Sequence, residues 1–309
     1  MKIIIRFTTL CLALVANPAF AVEVDVSPAA PKNVALVETQ SSIPFEFDIE
    51  ETYVGSGDFF RENIAVRDFN VNDLKGQFIW TPRIKYGILR LGIQAERLDF
   101  GYPSNSPLPD LLESTALVIG LDTQLSDSFL IRIEAQPGFY GTDWDDFGRD
   151  TFNVPALIGG TYIVNSSFQV VFGLGIDPLR QYPVLPGGGV RWKFASQWTL
   201  NAVAPTPRLE YEVSSSFMMY AGADFRSTSY RVDEQFGTDQ GNTALNHAAI
   251  TYNEIRAGGG FEWKITSNIK LAAEGGFIPF REVNFHRTEV RFHQDEGVPY
   301  GMLSFHAAF

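Results

Sequence analysis

The sequence predicts an all-β fold, a transmembrane antiparallel up-and-down β-barrel of about fourteen strands, on three observations. The first is composition: 27 glycines, 17 prolines and 26 phenylalanines in 309 residues, with 45% apolar and 19% charged side chains, suit many strands and turns better than a helical bundle. The second is length. From Phe45 to Phe309 the recurring unit is a run of about ten residues alternating apolar with polar. Strands of about 9–11 residues cross a bilayer at a tilt, whereas strands of a soluble sandwich average about 5–6. The third is the alternation of short polar turns with longer connections, as in a barrel with tight turns on one side of the membrane and loops on the other. An exported soluble β-sandwich is the alternative fold. If Ala204-Pro205-Thr206-Pro207 is irregular rather than a short outer loop, the count falls to about twelve strands.

Taken in chain order, residues 1–21 read as a signal peptide. Lys2 and Arg6 form a positive start, Phe7 to Val15 an apolar stretch, and Ala19-Phe20-Ala21 a cleavage site. Asn17-Pro18 interrupts the run well short of the roughly 20 residues a spanning helix needs. Leu10 stands before Cys11 where a lipoprotein signal wants a small residue, so Cys11 reads as part of the apolar stretch. It is the single cysteine of the chain, and an exported protein without disulfides draws its stability from packing or closed hydrogen bonding. Residues 22–44, with Pro28, Pro31 and Pro44, read as a flexible periplasmic lead-in, and residues 45–309 as the barrel.

Phe129 to Phe139 illustrate the alternation. Phe129, Ile131, Ile133, Ala135, Pro137 and Phe139 fall on one face, and Leu130, Arg132, Glu134 and Gln136 on the other. The same division runs through 77–85, where Phe78, Trp80, Pro82 and Ile84 oppose Gln77, Thr81, Arg83 and Lys85. It recurs in 89–96, 117–124, 217–226, 255–264 and 269–274. Polar turns precede an aromatic at Ser126-Asp127-Ser128, Asn165-Ser166-Ser167, Ser196-Gln197 and Ser214-Ser215-Ser216, whereas Thr266-Ser267-Asn268 precedes Ile269. Aromatics launched from short turns suit a girdle at the periplasmic interface. Longer outer connections are expected at 55–73, 101–110, 141–151, 177–186, 232–247 and 284–296. The uncharged stretch 151–176 could be a spanning helix by length alone, but Pro155, Gly159-Gly160 and Asn165-Ser166-Ser167 favour a hairpin.

The last residues alternate in phase: Gly301, Leu303, Phe305, Ala307 and Phe309 on one face, Met302, Ser304 and His306 on the other. This resembles the terminal-strand signal of Gram-negative outer-membrane β-barrel proteins, in which Leu303, Phe305, Ala307 and Phe309 would be read by the barrel assembly machinery. The resemblance covers 45–309 as an architecture and is nearest to barrel families of unknown function. It implies the cell outer membrane as location, with membrane lipids and lipopolysaccharide as surroundings.

If the apolar faces meet lipid, charges of both signs line the lumen. Those expected there are Arg83, Arg90, Glu96, Asp122, Arg132, Glu134, Arg191, Glu210, Asp224, Arg226, Glu254, Arg256, Lys270 and Glu274. A hydrophilic pore for small polar solutes and a rigid barrel filled with cross-strand ion pairs are both consistent with this set. The mixed signs imply weak ion selectivity. The net charge of −12 excludes nucleic acid as a general partner. No cofactor or metal is expected: the acidic loop Asp143 to Asp150 lacks the closing Glu of a calcium loop, and a metal site at His286 and His293 is conceivable from spacing alone. A barrel hydrolase using Ser304 and His306 is a further alternative, although no G-x-S-x-G or H-E-x-x-H occurs. The reading is therefore a non-enzymatic porin-like channel, with a non-conducting structural or surface-binding barrel as the alternative. Oligomeric state stays open.

Overall fold

A computed structural model of the chain describes residues 44–309 apart from 63, 103–105 and 295. The signal peptide and nearly all of the lead-in lie outside the described residues. No helix among the described residues is long and apolar enough to cross a membrane. The chain instead forms a closed antiparallel barrel of fourteen strands. These are β1 (Phe45–Arg61), β2 (Ile64–Trp80), β3 (Gly87–Gly101), β4 (Leu111–Ser126), β5 (Phe129–Ala135, resuming as Gly138–Gly141), β6 (Phe152–Asn153 and Ala156–Asn165) and β7 (Phe168–Ile176). They continue as β8 (Val184–Lys193), β9 (Trp198–Val203), β10 (Arg208–Ser214), β11 (Phe217–Arg231), β12 (Ala249–Lys264), β13 (Ile269–His286) and β14 (Val290–Gln294, resuming as Val298–Ala308). Each strand pairs with its sequence neighbour, and β14 pairs with β1 from Glu46↔Ala308 to Val54↔Tyr300. Reciprocal bonds between Phe45 N–H and Phe309 O (3.1 Å) and between Phe309 N–H and Phe45 O (2.9 Å) complete the closure.

Four of the inner turns share one device. The first polar side chain of the turn accepts from the backbone N–H two residues on, as in Asn165 Oδ1 from Ser167 (2.8 Å), Ser126 Oγ from Ser128 (3.3 Å), Ser214 Oγ from Ser216 (3.3 Å) and Thr266 Oγ1 from Asn268 (3.2 Å). Above the turns the expected facing holds. Ile133, Phe78, Trp80 and Leu303 project outward and are exposed, whereas Glu134 and Gln136 turn inward and are buried. Ala204 to Pro207 is a short outer connection between β9 and β10, so the fourteen-strand count stands.

Two expected loops are instead strand. Residues 55–73 and 284–296 belong to β1–β2 and β13–β14, which pair up to Arg61↔Ile64 and Phe285↔Val290 and reverse in tight turns with left-handed Glu62 (φ 52°), Arg287 (φ 69°) and Glu289 (φ 59°). Their polarity marks strand that has left the membrane and faces water on its outer side, where alternation no longer requires an apolar residue.

Strand length therefore divides the barrel into two levels. The strands β7 to β10 run for 6–10 residues, whereas β1, β2, β11, β12 and β13 run for 15–18. About ten tilted residues cover the roughly 25 Å apolar band of an outer membrane, so the tall strands project beyond it. Above the low wall they fold together around an apolar core that includes the fully buried Phe59, Phe69, Leu112, Tyr230, Ile250, Phe285 and Phe292. Phe69 packs on Phe100 of the neighbouring strand at 5.0 Å, and rings from facing walls meet across the interior, Phe100 and Tyr252 at 5.6 Å and Tyr140 and Tyr230 at 6.3 Å. Phe236 of a short helix α1 (Phe236–Asp239) packs on Phe285 at 5.9 Å. The slot between β5 and β11, left where β6 to β10 stop, is crossed by segment 177–183. There Asn153 Nδ2 donates to Asp177 (2.8 Å) and Arg180 Nη2 donates to Ser227 O (3.0 Å). Burial lowers the Arg180 guanidinium from its ordinary pKa, and the neighbouring Asp177 opposes the shift.

Two outcomes test this architecture. The folded protein migrates differently unheated and boiled on a detergent gel, because a closed sheet resists detergent until heated; identical mobility would speak against closure. Phe69→Ala removes a fully buried ring and costs about 3–5 kcal/mol, read as a lower urea midpoint for the protein in lipid vesicles, whereas truncating Tyr182, exposed in the outer segment 177–183, leaves the midpoint nearly unchanged.

Candidate functional site: the charged lumen

The inward faces of the lower barrel enclose a cavity of about 1400 Å³ that reaches the short-turn end of the barrel at Pro44, Thr81 and Tyr86. Period-two alternation builds it: each outward apolar residue places the next side chain inside, and the closed backbone leaves that side chain to satisfy itself with water or with a partner across the strands. Cross-strand partners dominate. Arg90 Nη1 donates to Glu46 (3.0 Å) and its Nε to Glu134 (3.3 Å). Arg132 grips Asp122 through Nε and Nη2, both at 2.5 Å. Arg191 is bidentate on Glu210 (3.1 and 2.9 Å), which also accepts from Arg208 Nε (3.0 Å), and Arg208 reaches Glu262 at 3.2 Å. Tyr220 lies under the Arg208 guanidinium at 4.9 Å.

A denser layer roofs this cavity. Arg226 donates to Asp224 (2.6 Å), Glu50 (2.5 Å) and Asp73 (3.3 Å). Behind it Arg256, fully buried, donates to Glu254 (2.6 Å), to Thr52 Oγ1 (3.1 Å) and to the same oxygen of Asp73 (3.4 Å), and its guanidinium lies over the Tyr300 ring at 5.6 Å. Tyr230 donates to Glu96 (3.1 Å) and Tyr300 to Glu274 (2.5 Å). Above this layer begins the apolar core, where the buried Arg281 guanidinium sits over Phe59 and Phe69 at 5.1 and 5.4 Å and donates to Phe69 O (3.2 Å) and to Gln294. The axial path thus runs from an aqueous cavity into an ion-paired roof and then into packed aromatic rings.

The charges expected on the lumen separate accordingly. Arg83, Arg90, Asp122, Arg132, Glu134, Arg191, Asp224, Arg226, Lys270 and Glu274 line the cavity, with Arg83 at its periplasmic end. Glu210 is buried in the wall beneath Arg191 and Arg208. Glu96, Glu254 and Arg256 belong to the roof. Asp73, which joins the two roof arginines, falls in a segment the sequence suggests is loop. The parity of Leu74 and Phe78, both outward and exposed, was the available signal that Asp73 points inward. Of the terminal-strand residues, Leu303 and Phe309 are exposed on the outer surface and Ala307 is buried.

His306 Nδ1 lies 2.6 Å from Asp48 Oδ1, and Gln77 donates to the other Asp48 oxygen at 2.9 Å. No hydrogen bond joins Ser304 to His306 among the described residues, so the nucleophile–base contact that a serine hydrolase requires is missing. Among the described residues no three His, Cys, Asp or Glu side chains are grouped to hold a metal. His286 instead accepts from Arg287 Nε at 3.1 Å, and burial together with Arg287 lowers its pKa.

No curated protein matches the chain. Solved structures similar to it include the P. putida toluene transporter TodX, at 10% identity over 88% of this chain and 91% of that one with a TM-score of 0.40. They also include the Ralstonia pickettii toluene transporter TbuX, at 10% identity over 87% and 90% with a TM-score of 0.37. A third is the KdgM porin in complex with disordered oligogalacturonate, at 10% identity over 85% and 99% with a TM-score of 0.35. At these values no residue's role passes from them to this chain. The model of a family described as a domain of unknown function, DUF6268, matches residues 89–305, from the start of β3 almost to the end of β14. With that match covering most of the barrel, the chain belongs to the DUF6268 family.

Proposed function

We propose that the protein is an outer-membrane channel of low conductance, with an aqueous, mixed-charge lumen that opens to the periplasm and is held shut on the outer side by the ion-paired roof. The observation that carries this reading is the inversion of the ordinary protein pattern. Tryptophan, phenylalanine, leucine and isoleucine stand exposed around the wall, while arginine and glutamate fill the inside. That is stable when lipid surrounds the wall and water or ion partners occupy the interior. Outer-membrane lipid and lipopolysaccharide are then the surroundings of the wall, delivery runs through the barrel assembly machinery, and small polar solutes are the cargo. Resting closure follows from the buried pairs, because each arginine of the roof bridges two or three carboxylates that would otherwise repel one another. The packed core above the roof favours a second reading, a non-conducting barrel.

Planar-bilayer recording separates the two. Wild-type protein gives rare, small openings with a reversal potential near zero in a KCl gradient, since neither sign dominates the lumen. Arg226→Ala/Arg256→Ala leaves Glu50, Asp73, Asp224 and Glu254 without their cations. It raises the open fraction and admits arabinose in vesicle-swelling measurements. Steady large conductance from wild type would overturn the roof as a seal. Silence from both proteins, each shown to be heat-modifiable, would favour the non-conducting barrel.

A further inference from the structure

One part of the lumen wall carries no charge. Over the upper halves of β6 to β9 its lining changes to Leu157, Val171, Leu185 and Val203, interleaved with glycine. The glycines are in register: Gly173 of β7 pairs with Gly159 of β6 on one side and with Gly187 of β8 on the other. The row therefore presents bare backbone across three adjacent strands, about 10 Å from the first to the third. Leu157 and Leu185 stand two residues above it, and two residues below it runs the row Thr161, Val171, Gly189 and Val203. The result is a flat recess in the wall with leucines above it and Val171 and Val203 below it, flanked by Thr161.

Packing does not account for all of this glycine. A Cβ at Gly159 would meet nothing nearer than Phe172 O at 3.8 Å, and one at Gly187 nothing nearer than Ala204 O at 3.5 Å. Both distances are ordinary contact, and neither residue has a left-handed backbone, so side chains would fit there and project into the cavity. The recess is bounded by polar groups. Arg132, paired with Asp122, is the register partner of Gly159, and Gln169 and Asn201 line the cavity in the row below the valines. Neither Gln169 nor Asn201 makes a side-chain hydrogen bond among the described residues. A flat apolar floor with a few polar groups converging on its edge is the arrangement of a small-molecule site.

We propose that this recess binds solutes built on a flat ring with an apolar face, stacked on the Gly159–Gly173–Gly187 floor, with polar ring substituents meeting Arg132 or Gln169. The assignment rests on the channel reading above and narrows its cargo from polar solutes in general to ring-bearing amphipathic ones. Charge contributes little to selection, because the cations that flank the floor are already neutralised by carboxylates.

The test uses full-length protein in vesicles with Asn201→Cys as reporter, the only other cysteine being Cys11. Labelling by a small cationic methanethiosulfonate reagent is followed with 4-hydroxybenzamide or glucose as the added solute. At about ten times its dissociation constant the aromatic amide slows labelling roughly tenfold, while glucose at equal concentration leaves the rate unchanged. Adding Gly159→Leu/Gly187→Leu to the reporter fills the recess and abolishes protection, with barrel assembly checked by heat-modifiable mobility. Equal protection by both solutes, or protection that survives the double leucine substitution, overturns the recess and leaves the channel standing. A reporter that resists labelling from both sides of the membrane removes the aqueous lumen and overturns both readings.

Discussion

Closure of the sheet is the constraint on which everything else depends. In hydrocarbon an unpaired backbone N–H or C=O has no water to turn to, so a spanning sheet is stable only when its first and last strands pair. The Phe45–Phe309 bonds and the β1–β14 ladder meet that condition. Once the sheet is closed, each residue has two fates, lipid or lumen, and the period-two alternation of the chain follows. The exposed Trp80, Trp192, Trp198 and Trp263 and the buried Arg90, Arg226 and Arg256 are two consequences of one geometry.

Unequal strand lengths then decide what the lumen can do. A barrel with all strands cut at the membrane surface would carry its polar interior through to the outside. Here β1 to β5 and β11 to β14 continue past β6 to β10, and a sheet that has lost part of its circumference collapses until its inner faces touch. Those faces bear Val54, Phe69, Phe100, Tyr252 and Ile278, so the collapse yields a packed core above the aqueous cavity. The roof lies where the two regimes meet. Charges there lose water on one side, which explains why Asp73 bridges two arginines and why Arg256 combines Glu254, Thr52 and the Tyr300 ring.

The low wall has the opposite character. Toward their outer ends the short strands β6 to β9 carry glycine and aliphatic residues on the inside, and their lipid faces carry Ile158, Phe172, Leu174 and Trp192. The uncharged stretch of lumen wall therefore lies where the strands are short, and Arg191 and Arg208 keep the lower part of the same wall charged.

Alternation, strand spacing and turn chemistry are local, and so the sequence by itself determined the barrel class, a count of about fourteen with twelve left open at Ala204 to Pro207, the Asn165 and Ser214 turns and the inward side of residues such as Glu134 and Arg226. A residue's side of the sheet depends on its parity relative to its neighbours, which the chain carries explicitly. Polarity is an ambiguous signal, however, because a polar stretch suits either a loop or a strand beyond the membrane. Residues 55–73 and 284–296 looked like loops for that reason, and Asp73 went unnoticed among them. Which arginine meets which carboxylate, the folding together of the tall strands, and the alignment of Gly159, Gly173 and Gly187 were decided by tertiary structure alone. Each depends on the register between strands far apart in sequence and on the height at which a neighbouring strand ends, quantities that exist only once the sheet has closed.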